Sequence, residues 1–81
     1  MRSRAKVRVF DAGSLKVLEE LCEATWLIFE ARHPFRDVSR DDERRSQIRL
    51  KLFIHAENFG LEELAAAQRL VLETMSREAG L

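Results

Sequence analysis

The chain has one cysteine, one proline, three glycines and no tyrosine among its 81 residues. With Cys22 alone, no disulfide can close within the chain. A single thiol at an apolar helical position reads as a small core hydrophobe and fits a reducing compartment. Metal binding needs three or four converging ligands, and Cys22, His33 and His55 show no ligand spacing. Gly13, Gly60 and Gly80 are scattered, so the glycine-rich backbone that cradles phosphate is missing. No stretch approaches the roughly 18 apolar residues of a membrane span. The basic start, Met1 to Phe10, holds no apolar run long enough for a signal peptide. Membrane partners are therefore not expected, and cytoplasm is the expected location.

The signs of catalysis are equally thin. Neither histidine falls in an H-E-x-x-H or H-x-x-x-H pattern. His55 and Glu57 are two apart on a helical stretch and do not face each other. Sequence alone leaves a Cys22–histidine pairing open, but nothing positions one. The expectation is a non-catalytic protein without a cofactor.

What the chain does have is charge, balanced at 14 basic and 14 acidic residues but laid down in blocks. Arg2, Arg4, Lys6 and Arg8 open it without an acid. Residues 11–30 carry Asp11, Glu19, Glu20, Glu23 and Glu30 against Lys16. From Arg32 to Lys51, seven cations stand against four acids. Blocks of opposite sign suit pairing within the chain or head to tail, although most such charges simply face water.

Apolar periodicity predicts an all-α, three-helix bundle as a single domain over residues 11–81, preceded by a basic arm at 1–10. Asp11 is a helix N-cap, and the first helix runs over about 11–31. Leu15, Leu18, Cys22, Trp26 and Phe29 form one stripe, with Val17, Leu21 and Ile28 beside it. Together they span roughly 200° of the helix, more than one partner helix covers. Pro34 ends the helix, because the residue before proline is biased away from helical angles. Residues 32–38 read as a loop, and Ser39 with Asp42 matches a capping box.

The second helix is expected over about 40–58. Ile48, Leu52, Ala56 and Phe59 make its main face, with Phe53 at the edge and Leu50 and Ile54 on the opposite side. Gly60 suits a tight turn into a third helix over about 61–77, where Leu61, Leu64, Val71, Leu72 and Met75 share a stripe with Ala65 and Ala67 at its margins. Gln68 interrupts that stripe, either as an amide reaching solvent or as a buried group setting register against a symmetry mate. In the arm, Ala5, Val7 and Val9 alternate with cations, either a strand paired across a two-fold axis or a disordered segment.

The stretch Ser39-Arg40-x-Asp42-x-x-Arg45-Ser46-x-Ile48-Arg49-x-x-Leu52-Phe53-Ile54-His55-Ala56-Glu57, then Phe59-Gly60-x-Glu62-Glu63-Leu64, follows a helix carrying Leu15, Leu18 and Trp26. The pattern resembles a type of short helical protein of alphaproteobacterial genomes and covers about two-thirds of the chain. The resemblance implies a compact helical fold and carries no activity or functional residues.

Two functional readings follow. In the first, Leu21, Trp26, Ile28, Phe29, Leu50 and Ile54 exceed what one small core requires, and form a homodimer seam or a groove for another protein. Small domains often lean on such association for stability. In the second, Arg4, Arg8, Arg44, Arg45 and Arg49 contact nucleic-acid phosphates. Ala56-x-x-x-Gly60 has helix-turn-helix spacing, but Glu62 and Glu63 would open the recognition helix with the wrong charge.

Overall fold

The structure, a computed structural model, describes residues 11–78. They form three helices, α1 (Ala12–Arg32), α2 (Asp41–Phe59) and α3 (Leu64–Glu78), an all-α three-helix bundle. Short 3-10 turns at Val38–Arg40 and Leu61–Glu63 lead into α2 and α3. The strand reading of Ala5, Val7 and Val9 lies outside the described residues.

α1 starts where Asp11, in extended geometry, accepts a 2.8 Å hydrogen bond from the Ser14 N–H. That bond satisfies one of the free donors of the first turn. The helix closes at His33, whose N–H reaches the carbonyls of Phe29 and Glu30 ahead of Pro34. The next segment departs from the expected capping box. Asp37, not Ser39, is the cap: its Oδ1 accepts from the Ser39 N–H at 3.1 Å and the Ser39 hydroxyl at 2.7 Å. With its hydroxyl spent on Asp37, Ser39 cannot cap α2, which begins at Asp41 without a side-chain cap bond. Gly60 ends α2 at φ 81° and ψ −177°, a region open mainly to glycine, and its N–H reaches the Ala56 carbonyl at 2.8 Å.

The core is drawn from one face of each helix. Leu18, Trp26 and Phe29 of α1 meet Ile48, Leu52 and Ala56 of α2 and Ala67, Val71, Leu72 and Met75 of α3, all buried. Phe59 was expected on the main face of α2 but is exposed. As the last residue of the helix it lies past the core and covers His55 instead, with ring centroids 4.8 Å apart. Leu15, in the first turn of α1, is also exposed, at 40%.

Gln68 follows neither sequence reading. Its Nε2 donates to the Thr25 hydroxyl at 3.1 Å, and that hydroxyl, fully buried, donates to the Leu21 carbonyl at 2.7 Å. The amide therefore sets register between α1 and α3 of one chain. A second cross-link, His33 Nε2 to Ser76 Oγ at 2.8 Å, has the same 43-residue separation. α3 thus runs alongside α1 with a constant offset.

Candidate functional site

The charge blocks find each other across the α1–α2 groove. Arg45 pairs with Glu23 at 3.0 Å and Arg49 with Glu19, the partner stepping back four residues as α1 steps forward four. That reciprocal spacing is what antiparallel helices impose. Each of these side chains is about half exposed, so the pairs direct packing more than they stabilise it. The Arg45 guanidinium also lies 5.3 Å from the centre of the Trp26 ring, and Arg49 lies 4.8 Å from that of Phe53. Hydrogen bonding to Arg49 holds the Glu19 carboxyl below the usual carboxylate range.

Between these pairs lies a shallow groove of about 200 Å³ in which Cys22 is half-buried. Burial pushes its thiol pKa up, which outweighs the pull of Arg49. A thiol kept protonated is a poor nucleophile and a poor metal ligand. His33 is bonded to Ser76, and His55 packs at a tilt against Phe59 with its Nε2 buried and unpartnered, so neither is brought to Cys22 by a hydrogen bond. Among the described residues, no group of three or more His, Cys, Asp or Glu is placed to hold a metal ion, and no helix is long and apolar enough to cross a membrane.

Arg36 is the residue that sequence reasoning missed, because it lies in the stretch read as a loop. Its side chain is only 7% exposed. Nε and one terminal nitrogen grip Asp41 at 2.9 and 2.8 Å. That same terminal nitrogen also donates to Glu30 at 3.3 Å, and the other terminal nitrogen donates to the His33 carbonyl at 3.1 Å. The guanidinium also sits 5.3 Å from the Trp26 ring centre. Hydrogen bonding to Arg36 holds the Asp41 carboxyl below its ordinary range. This cluster ties the end of α1 to the start of α2.

The six apolar candidates divide. Trp26 and Phe29 are consumed by the chain's own core, their rings stacked 5.6 Å apart, and are not on the surface. Leu21 and Ile28 are half-buried against that core. Leu50 and Ile54 are 60% and 45% exposed. Two further exposed residues, Leu27 and Leu70, escaped the sequence reading because each lies off the stripe that defines its helix.

The five cationic candidates fare differently. Arg45 and Arg49 are engaged by acids of α1. Arg44 donates to the Asp37 carbonyl at 2.8 Å and lies 3.6 Å from Asp41. Arg4 and Arg8 lie outside the described residues.

No protein-family model, curated protein or solved structure matches the chain.

Proposed function

We propose that this chain is a small, non-catalytic protein-interaction module of regulatory or adaptor type, acting as a homodimer in the bacterial cytoplasm. The observation that carries this reading is the exposed apolar surface. Val17 and Leu27 of α1, Leu50 and Ile54 of α2 and Leu70 of α3 stand in solvent on a bundle whose core is already filled. Apolar patches left open on a small domain mark surfaces that another protein covers. The lone half-buried thiol and the resemblance to short alphaproteobacterial proteins support the cellular setting.

Nucleic-acid binding is the weaker reading. The α2 cations it would use already hold acids or backbone carbonyls of the same chain. Glu62 and Glu63 remain exposed at the turn where a recognition helix would open.

Thermal unfolding at several protein concentrations tests the proposal. A homodimer that folds with association gains stability by mass action, so its Tm rises with concentration. A Tm independent of concentration would contradict the homodimer.

A further inference from the structure

Resting on that reading, we infer that the second copy docks antiparallel along the outer face of α1, through Val17, Leu21, Ala24, Ile28 and Ala31. These five residues follow one another in steps of four, three, four and three, the spacing of a coiled-coil seam. The seam is about 21 Å long at 1.5 Å per residue. It lies beside the stripe that α1 gives to its own core. Val17, Ala24 and Ala31 are exposed, while Leu21 and Ile28 are only partly covered by the bundle. Leu27 stands exposed at its edge.

Residue size decides the direction. Large and small side chains alternate along the central part of the seam. An antiparallel copy sets Leu21 against Ala31 and Ala24 against Ile28, large on small at each level. The two-fold axis then passes near residue 26 and brings the two Leu27 side chains together. A parallel copy would stack Leu on Leu and leave Ala facing Ala.

Charge points the same way. The constant offset between α1 and α3 places Glu62 level with about residue 19 of α1, and its helical position relative to Gln68 turns it toward the flank of the seam where Arg32 also lies. Among the described residues, Arg32, Glu62 and Glu63 have no ion-pair partner. The same antiparallel register brings Arg32 of each copy to about the level of Glu62 of the other. A parallel arrangement turns the two α3 flanks to opposite sides of the seam and keeps Arg32 of each copy away from the acids of the other.

The test compares association of the wild type with Ala24→Glu, an exposed change that leaves the core untouched, and with Leu50→Asp on the other face. Wild type and Leu50→Asp are expected to dimerise alike, and Ala24→Glu to weaken association about tenfold or more. Disulfide trapping in a Cys22→Ser background supplies a second readout. Oxidation should link Leu27→Cys chains across the axis but not Ala31→Cys chains, whose sulfurs an antiparallel pair holds too far apart. A wild-type dimer that survives Ala24→Glu, or that falls apart with Leu50→Asp instead, overturns the seam and leaves the interaction reading standing. Ala31→Cys linking as readily as Leu27→Cys overturns the antiparallel register. A monomeric wild type overturns the homodimer and the seam together.

Discussion

Arg36 and Trp26 show how much of this fold hangs on two side chains. The guanidinium is almost fully enclosed, with hydrogen bonds to Asp41, the His33 carbonyl and Glu30. Its removal leaves the Asp41 carboxylate without its main partner. Arg36→Ala is therefore expected to lower Tm well beyond Arg40→Ala, whose pair with Glu43 is solvent-exposed. Equal shifts in the two variants would remove Arg36 from its keystone role.

The same contact sets a pH dependence. The folded-state pKa of Asp41 is depressed by Arg36, and that of Glu19 by Arg49, relative to the unfolded chain. The stability they contribute is in place above the unfolded carboxylate range, and is lost as pH falls through the folded values. Unfolding free energy should thus be steady above roughly pH 5 and decline below it, with a shallower decline in Asp41→Asn. Trp26→Ala is expected to cost about 3–5 kcal/mol, as for other buried aromatics. Unchanged chemical denaturation would show that Trp26 is not core. Trp26 was legible as apolar from its helical stripe, but the sequence assigned it to an interface and the structure to the core. Arg36 was not legible, because its acids lie six residues before and five after it, across a non-helical turn that no period describes.

At the scale of the helix, the buried polar link between α1 and α3 explains why Gln68 can interrupt an apolar stripe. Gln68 donates to the Thr25 hydroxyl, so removing either side chain breaks the cross-helix bond. Thr25→Val and Gln68→Leu should each destabilise by about 1 kcal/mol. The double variant should cost clearly less than the two together, since both groups leave at once. Strict additivity in a double-mutant cycle would contradict the link.

The three helices themselves were legible because apolar residues recur at the helical period and Asp11, Pro34 and Gly60 punctuate them. The entry to α2 was misread because two capping residues compete there. Asp37 captures the Ser39 hydroxyl, and backbone geometry, which sequence does not state, decides between them. Gln68 was read as an oddity because Thr25, its partner, is 43 residues away and the spacing of neither residue reveals the other.

For the whole molecule, charge blocks and apolar excess tell different parts of one account. Blocks of opposite sign left open pairing within the chain, pairing head to tail or simple solvation, and Glu19–Arg49 and Glu23–Arg45 pair within the chain. That pairing occupies the α2 arginines which a nucleic-acid surface would have used. The excess of apolar residues was also visible, but not its distribution. Trp26 and Phe29 fell to the core, and Val17, Leu27, Leu50, Ile54 and Leu70 to the surface. Which helix face is covered depends on how three helices share their stripes, and that is a property of packing.

The central claim is that the outer face of α1 is covered by a second copy, and molar mass in solution tests it most directly. Light scattering over about a hundredfold dilution is expected to give twice the 9.4 kDa chain mass at the upper end, falling toward one chain only on strong dilution. A mass of one chain at every concentration would contradict the account.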